Sequence, residues 1–438
     1  MAVTGRRRLL IISRELPPAV GPHPIRVAKL AKFLPEFGWE PTIVTVPVNH
    51  AWALDTSLEA DVAGVEVVRV PRMLSGATPP TATVAVAGDG SGRTGGERPV
   101  VRRKMPKWRR QLATHLLVPD YSVLWAIPAA RRASSMVRNF DAVLTTAPPF
   151  STHLVGYWLS KRHGIPWVAE YRDNWTMNPL YRRGRVPQWI NERLEQRIVG
   201  RADAIDVVSE AAAHEMVTHF RIADGRVIVA RNGFDSDDLP RPAGRSDTFE
   251  FAYTGTVNRL RDPRPFFRAV MSVADRRPDL LEHFRLRLIG NVGDWAAEDA
   301  LQLFGPDRVF LDGMLPHREA LLRASRAAVL LLITTFAEAG GAALTSKVFE
   351  YLGLRRPILA LAPPGPARDI IDSLAAGYSS NPENVQEIAV AVERLYDDWI
   401  AGRSRVAGEN DLQAYTRRGT AQCVAEALEL AVGTARPR

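Results

Sequence analysis

Lys347 and Glu350 stand three positions apart at the start of a predicted helix, in the stretch LTSKVFEYLGLRRPILAL from Leu344 to Leu361. Residues three apart on a helix are neighbours on one face, so the two side chains either pair with each other in solvent or point together at a ligand. A carboxylate can accept hydrogen bonds from the vicinal hydroxyls of a ribose, and an ammonium can hold a diphosphate. The pair therefore matches two parts of a sugar nucleotide.

A glycine-containing loop earlier in the chain offers complementary groups. In YTGTVNRLRDP, Gly255 and Thr256 follow a predicted strand, and Arg259 and Arg261 come next. A residue without a side chain lets a phosphate approach the backbone, and guanidinium groups bind phosphate oxygens through paired hydrogen bonds. The alternative interpretation of this loop is a solvated basic turn.

The stretch TTFAEAGGAALTSK leads into the helix of Lys347. It contains Gly340 and Gly341, and it places Thr345 as the predicted N-cap with Ser346 after it. In open α/β sheets, ligands bind at the carboxyl ends of the strands, where backbone N–H groups and helix N-termini can hold anions. A Gly-Gly pair by itself is more often a plain turn, so these residues indicate a ligand site only together with the helix that follows.

Strands and helices alternate along the chain. In the first half, apolar segments such as LLIIS, PTIVTVPV and DAVLTTAPP are separated by stretches with helical spacing, such as PIRVAKLAKFLPEFG. The alternation restarts at FEFAYTG and continues through PILALA. This pattern predicts parallel sheets wrapped by helices. We therefore expect an α/β protein with two tandem Rossmann-like, doubly wound domains facing a cleft.

Breaks in composition give the expected domain bounds. A charged stretch with Pro and Gly at 235–247 predicts a linker between a first domain at 1–234 and a second domain at 248–412. Residues 74–101 are rich in Gly, Thr, Ala and Pro, which predicts a mobile insertion. A C-terminal helix and tail are expected at 413–438, with packing back on the first domain as one option.

Composition limits the class of protein. Of 438 residues, 46% are hydrophobic and 24% are charged, as in soluble globular proteins. The single cysteine, Cys423, excludes an internal disulfide and a multi-cysteine metal site, which fits a reducing, cytoplasmic location. The net charge of +9 suits a phosphorylated ligand, nucleic acid or an anionic membrane, and does not choose among them.

Two basic segments favour peripheral contact with an anionic membrane surface. RRKMPKWRR, at 102–110, surrounds Trp108 with basic residues, and RVAKLAKFL adds Arg26, Lys29 and Lys32 on a predicted helix. Basic residues attract anionic lipids, and Trp favours the membrane interface. The competing interpretation is a solvated basic loop that keeps the protein in solution.

Other chemistries find less support. Asp235 and Asp237 form an Asp-x-Asp pair beside the predicted linker, whereas a metal-dependent transferase needs such a pair at a strand end. His214 and His219 miss the i, i+4 spacing of a zinc-protease helix, and Ser209 lacks a Gly-x-Ser-x-Gly setting. The arginines are spread through the chain without an RNA-binding motif. We therefore expect neither a bound metal nor a nucleic-acid partner.

Several of these segments together resemble a known family. SKVFEYLGLRRPILAL is similar to the donor-binding segment of retaining glycosyltransferases of the GT-B architecture, in particular the family-four group of bacterial cell-surface glycan synthesis. IISRELPPAVGPHPIRVAKLAKFL resembles the group's first strand, glycine loop and helix, and PWVAEYRDNW resembles its mid-domain strand. VVSE and RNGFD resemble the end of its first domain, and FAYTGTV the opening of its second. The resemblance covers nearly the whole chain.

The resemblance implies roles on the donor side. Glu350 would accept the ribose hydroxyls, while Lys347 with Arg259 or Arg261 would bind the diphosphate leaving group. The donor, UDP-linked by preference, would enter as a substrate, with no further cofactor.

Roles in the first domain are implied in the same way. Gly21 would let the first loop approach the reacting centre, and Arg172 and Asp173 would face the sugar. The full candidate set comprises Arg172, Asp173, Arg259 and Lys347 as catalytic residues, and Gly21, Gly255, Thr256, Arg261, Gly340, Gly341, Thr345, Ser346 and Glu350 as nucleotide-binding residues.

The chain departs from the family pattern at three places. Ala342 stands eight positions before Glu350, where the family often has an acidic residue, with Glu338 nearby. The first loop continues as Pro-His-Pro at 22–24, where a second glycine is common. Arg172 replaces a histidine of the mid-domain strand.

The activity implied by the resemblance is transfer of a sugar from a nucleotide diphosphate donor to a hydroxyl of a glycan or lipid-linked acceptor, with retention of configuration. Two alternatives stay open. A non-hydrolysing sugar-nucleotide epimerase shares the two-domain plan. A catalytically silent, nucleotide-binding scaffold in glycan assembly belongs to a different class, and the alanine at position 342 is compatible with it.

Overall fold

The computed structural model describes residues 5–19, 21–48, 56–73, 117–181, 184–223, 225–240, 244–334 and 345–434. Their contacts form two compact units. The first unit lies within Met1–Val207, Met216–Ile228 and Ala421–Arg438, and the second within Val208–Glu215 and Val229–Thr420. The predicted insertion at 74–101 and the basic segment at 102–110 lie outside the described residues.

A seven-stranded parallel sheet organises the first unit. Its strands are β1 Arg7–Ile12, β2 Trp39–Thr45, β3 Glu66–Arg69, β4 Ala142–Ala147, β5 Trp167–Tyr171, β6 Ala204–Val207 and β7 Val227–Val229. They lie in the order β3-β2-β1-β4-β5-β6-β7. The α-helices in this part of the chain are α1 Pro22–Phe33, α2 Val123–Met136, α3 Ser151–His163, α4 Arg185–Arg201 and α5 Glu210–Phe220. Short 3-10 segments occur at Leu34–Phe37, Thr56–Val62, Val137–Asn139 and Pro179–Tyr181.

The apolar sequence of β1 explains its central place in this sheet. Leu9, Leu10, Ile11 and Ile12 are all fully buried. A strand covered by helices on both faces of a parallel sheet reads as a continuous apolar run, because neither face meets water. The expected alternation of apolar strands with helices thus yields the layers of this unit.

Helix α1 corrects one expectation. Arg26 and Lys29 were expected to add to a basic membrane-facing surface, but each is only 1% exposed. The Arg26 Nε donates to Glu170 Oε1 at 2.7 Å, and Lys29 Nζ lies 2.6 Å from Asp61 Oδ2. Buried cations persist in proteins when a carboxylate neutralises them. This helix therefore uses two of its three basic residues inside the unit, and that part of the prediction is wrong.

A six-stranded parallel sheet organises the second unit. Its strands are β8 Phe249–Thr254, β9 Phe284–Ile289, β10 Val309–Gly313, β11 Val329–Ile333, β12 Ile358–Leu361 and β13 Gly377–Ser380. They lie in the order β10-β9-β8-β11-β12-β13. The α-helices from here on are α6 Arg264–Ala274, α7 Asp279–His283, α8 Asp294–Phe304, α9 His317–Ala324, α10 Lys347–Leu354, α11 Pro366–Ser373, α12 Val385–Ile400, α13 Glu409–Leu412 and α14 Arg417–Thr434, with a 3-10 turn at Gln413–Tyr415. Two parallel, helix-wrapped sheets confirm the predicted α/β class.

Chain segments at the ends of the second unit also pack within it. Phe234 forms a parallel bridge with Thr416, and Asp238, in the segment expected to be a linker, accepts a hydrogen bond from Arg318 at 3.0 Å. Later in α14, Glu429 forms an ion pair with Arg7 inside the first unit. Across the described ranges, every helix is too short or too polar to cross a bilayer.

Candidate functional site

The Gly255 loop and the start of α10 meet at the carboxyl edge of the second sheet. β8 ends at Thr254, and its neighbour β11 is followed in the chain by α10. Gly255 has φ +119°, and a Cβ added there would lie 2.2 Å from Lys347 Nζ. Only glycine adopts this backbone without strain and leaves room for the ammonium. The structure therefore brings together two of the residues predicted to hold a diphosphate.

Two tyrosines fix this meeting point. Lys347 Nζ lies 3.3 Å from the Tyr253 hydroxyl and 4.7 Å from the centre of its ring. The Tyr253 hydroxyl in turn donates to the Thr256 carbonyl at 2.9 Å. From α10, the buried Tyr351 hydroxyl accepts a hydrogen bond from Thr254 N at 2.9 Å, and burial raises the pKa of Tyr351 to about 12. Helix and loop are thus tied together before any ligand binds.

Glu350 has a partner that its spacing from Lys347 does not reveal. His317, the first residue of α9, lies with its Nε2 3.1 Å from Glu350 Oε1. Burial acts to raise the pKa of Glu350, but the hydrogen bond from His317 and the charges of His317, Arg417 and Lys347 outweigh it and lower the pKa. The carboxylate is therefore kept ionised and is oriented by His317.

The sequence alone does not identify His317 as a site residue. It lies 33 residues before Glu350 on another helix, and a lone histidine after proline in LPHREA carries no motif. Only the packing of α9 beside α10 reveals it.

The start of α10 differs from the expectation. Thr345 is the N-cap predicted from the sequence, but Ser346 occupies that position with helical φ −61° and ψ −23° and makes no side-chain capping bond to any described residue. Backbone carbonyls serve instead, since Val348 N donates to Thr345 O at 3.3 Å. The sequence Thr-Ser offers two possible caps, and propensity alone cannot choose between adjacent hydroxyls. Gly340 and Gly341, together with Glu338 and Ala342, lie outside the described residues.

The arginines of the Gly255 loop are placed on a tight turn. The Asn258 side chain accepts hydrogen bonds from the backbone N–H groups of Leu260 at 3.0 Å and Arg261 at 3.1 Å. Arg259 is exposed, with its guanidinium 5.3 Å from the centre of the Trp295 ring on α8. Arg259 thus rests against an aromatic face, a contact that holds a guanidinium without neutralising its charge. Thr256, the next residue after Gly255, is exposed.

Arg172 is buried at the carboxyl end of β5 in the first unit. Arg172 follows β5, is 8% exposed, and donates from Nε to the Ala147 carbonyl at 3.1 Å. Burial lowers the pKa of Arg172 to about 10, although the charges of Glu170 and Asp173 act to raise it. The pKa of His23, near the start of α1, is lowered by burial and then by the Arg172 charge.

Two other first-unit candidates have defined roles in local structure. Gly21 is the N-cap of α1 with φ +137°, a conformation that favours glycine. The prolines at positions 22 and 24 have no N–H, so this helix start offers few backbone donors to an anion. Asp173 accepts a hydrogen bond from the Tyr181 hydroxyl at 2.9 Å.

Comparison with known proteins decides the class of enzyme. Residues 25–238, just under half of the chain, match the family model Glycosyltransferase Family 4. A D-inositol 3-phosphate glycosyltransferase of Paenarthrobacter aurescens (strain TC1) is 25% identical over 313 residues, which span 68% of this chain and 72% of that protein. The chain is a glycosyltransferase.

Solved structures agree on the fold of this glycosyltransferase. Sucrose-phosphate synthase from Thermosynechococcus elongatus matches with a TM-score of 0.57 and 16% identity, over 98% of each chain. A putative UDP-N-acetylglucosamine 2-epimerase from Listeria monocytogenes matches with a TM-score of 0.55 and 13% identity, over 97% of this chain and 96% of the epimerase. The GT-B type of architecture is thus shared with a transferase and an epimerase, and the fold alone does not separate the two chemistries.

Proposed function

We propose that this glycosyltransferase moves a sugar from a nucleotide diphosphate donor, preferably UDP-linked, to a hydroxyl of a glycan or lipid-linked acceptor of the cell surface, with retention of configuration. The observation that carries the proposal is the Lys347 ammonium held over Gly255, one helical turn from the ionised Glu350. In this assignment Glu350 binds the ribose and Lys347 binds the diphosphate.

The proposed chemistry places charge where the donor needs it. As the bond from the sugar C1 to the diphosphate oxygen breaks, the sugar becomes oxocarbenium-like and negative charge builds on the departing diphosphate. Cations fixed before the reaction stabilise that charge most, because they need no reorganisation. The tyrosines around Lys347 provide such fixation. The new bond joins C1 to the acceptor oxygen, and a phosphate oxygen of the leaving group takes the acceptor proton.

In this proposal, the candidate residues of the first unit contact the donor sugar and the acceptor. Arg172 and Asp173 follow β5, and Gly21 begins α1 after β1, so all three follow strands of one parallel sheet at its carboxyl edge. Arg259 and Arg261 assist with the diphosphate by rotating their exposed or half-exposed side chains. No metal takes part in this assignment, because the lysine and arginine charges replace it.

A second candidate is sugar-nucleotide epimerisation, because the fold shared with the putative Listeria epimerase does not separate this chemistry from glycosyl transfer. Product analysis separates the candidates. A panel of nucleotide sugars is first screened by thermal shift on the full chain, and the best binder is then incubated with acceptors. We expect a glycoside with retained configuration. A free epimerised sugar nucleotide would support the second candidate, and binding without any product would support a silent scaffold.

A further inference from the structure

Two arginines meet one tyrosine at the carboxyl edge of the first sheet. Arg14 follows the end of β1, Arg72 follows the end of β3, and Tyr121 precedes α2. The guanidinium carbon of Arg14 lies 4.8 Å from the centre of the Tyr121 ring, and that of Arg72 lies 5.6 Å from the same centre. None of these three side chains belongs to the candidate set derived from the sequence.

Backbone contacts hold this cluster of Arg14, Arg72 and Tyr121 in place. The Thr45 hydroxyl, at the end of β2, donates to the Arg14 carbonyl at 3.0 Å. The segment after β3 is tied to α2, since Trp125 Nε1 donates to the Val70 carbonyl at 3.1 Å and Met73 N donates to the Leu124 carbonyl at 3.1 Å. The ends of three neighbouring strands and the start of one helix therefore fix the cluster without a ligand.

The Arg14 guanidinium is buried with part of its hydrogen-bonding capacity unused. Its side chain is 5% exposed, and its Nε has no hydrogen-bond partner among the residues that the structure describes. Its Nη1 lies 2.6 Å from Glu15 Oε1, a neighbouring carboxylate that is itself 29% exposed. By contrast, the buried Arg26 of the same unit lies between Glu170 and Asp206. A buried guanidinium donor without an acceptor is costly, so its retention calls for a ligand that supplies one.

The charges in the cluster favour an anion. The pKa of Arg72 is lowered by burial and then by the charge of Arg14, as expected for two like charges held close together. Tyr121 is 47% exposed, so the cluster reaches the surface there. Planar guanidinium groups bind the oxygens of a phosphate in paired hydrogen bonds, and Glu15 occupies such a position on Arg14.

We propose that Arg14, Arg72 and Tyr121 form a phosphate-binding subsite of the first unit, which takes a phosphate carried by the acceptor and displaces Glu15 from Arg14. This deepens the proposed function, on which it rests, by naming the acceptor class: a phosphorylated molecule, either a soluble sugar or polyol phosphate or a lipid phosphate.

The test uses the full chain and inorganic phosphate, titrated by calorimetry in the presence of saturating UDP and again with Lys347→Gln, which removes the donor-side ammonium. We expect phosphate to bind in both settings. Arg72→Gln should weaken phosphate binding by about tenfold, the usual size of one lost charge-assisted contact. Arg131→Gln is the matched control, since it removes one exposed positive charge from α2 in the same unit and should leave phosphate affinity unchanged.

Arg14→Gln is a second variant, which should act like Arg72→Gln if the protein folds. Since Arg72 is more exposed than Arg14, Arg72→Gln decides the matter even if Arg14→Gln does not fold. Absence of phosphate binding to the wild type, or equal binding by wild type and Arg72→Gln, would overturn the subsite. If the wild type does not bind UDP, the proposed function is contradicted. Phosphate binding by the wild type and by Arg72→Gln can still be compared in that case.

The source of the phosphate is tested with two probes. Glycerol 3-phosphate represents a soluble acceptor, and phosphatidylcholine vesicles with phosphatidic acid represent a lipid acceptor. We expect at least one of them to bind the wild type more tightly than Arg72→Gln. If neither distinguishes the two proteins, the cluster does not recognise a phosphate carried by an acceptor.

Discussion

At the scale of single residues, the proposed donor site depends on the contact between Gly255 and Lys347. Gly255→Ala would push a Cβ into the ammonium and strain a backbone at φ +119°. We expect UDP affinity to fall at least tenfold, because Lys347 would be displaced from its place over the loop, and stability to fall by about 1–3 kcal/mol from the backbone strain. Calorimetry with UDP and thermal unfolding measure the two effects.

Gly305→Ala is the matched control for that substitution. Gly305 also has a left-handed backbone, with φ +82°, but a Cβ added there meets nothing within 4 Å. This variant should lose stability and keep its UDP affinity. If both alanine variants bind UDP like the wild type, the contact with Lys347 has no role in donor binding.

His317 gives a pH-dependent prediction. The lowered pKa of Glu350 means that its ionised form contributes stability at pH values above about 4.3, the ordinary value. This contribution is lost as the pH falls through the lower folded pKa.

His317→Ala removes the strongest interaction that counters the effect of burial on the pKa of Glu350, so this pKa should rise. Arg417 and Lys347 still face the carboxylate. We expect UDP affinity to fall several-fold, and the deficit should be larger at pH 5.5 than at pH 8. A deficit independent of pH would show that His317 acts only through packing.

At the scale of elements, helix α4 carries a buried acid that weakens the fold at high pH. Glu195 is fully buried and accepts a hydrogen bond from Thr176 N at 3.0 Å, while its Oε1 has no partner in the described part of the chain. Burial raises the pKa of Glu195 to about 7, against the hydrogen bonds from Thr176. Because the folded pKa exceeds the unfolded value, the stability that the neutral acid contributes is present below about pH 4.3 and lost as the pH rises through about 7.

Glu195→Gln should therefore stabilise the protein at pH 8, by on the order of 2 kcal/mol, and have little effect at pH 5. Urea unfolding at the two pH values measures the difference. Glu40→Gln, which changes an exposed carboxylate on β2, serves as the control and should show no such dependence. Equal effects of Glu195→Gln at both pH values would contradict the assignment of a raised pKa.

The sequence predicts elements better than it predicts their contacts. The apolar run of β1 and the helical spacing of α10 are local patterns, so their presence and type follow from the sequence. The pairing of Glu350 with His317 and the burial of Lys29 against Asp61 join residues that are distant in the chain. Local pattern contains no record of such tertiary contacts, which is why one residue was missed and the basic face of α1 was wrongly expected.

At the scale of the whole molecule, peripheral membrane binding is a prediction that now depends on the segment 102–110. Arg26 and Lys29 of the second basic segment are buried, so they cannot contact a membrane surface. We expect salt-sensitive co-sedimentation with anionic vesicles, because each basic residue near such a surface contributes about 1 kcal/mol. Neutralising the basic residues Arg102, Arg103, Lys104, Lys107, Arg109 and Arg110 together should reduce it. Binding that is indifferent to these changes, or absent at low salt, would contradict membrane contact through this segment.

We propose that Lys347 and Glu350 hold a nucleotide diphosphate without a metal ion, and calorimetry of UDP binding to the full chain in EDTA measures this. We expect the wild type to bind in EDTA and Glu350→Gln to bind at least tenfold more weakly, since a hydrogen bond to a charged group contributes about 1.5–3 kcal/mol. Glu319→Gln, which changes a carboxylate on α9 beside His317 in the sequence, should bind UDP like the wild type. Equal UDP affinity of Glu350→Gln and wild type would show that Glu350 does not bind the nucleotide, and binding that appears only when manganese is added would show that the site needs a metal ion.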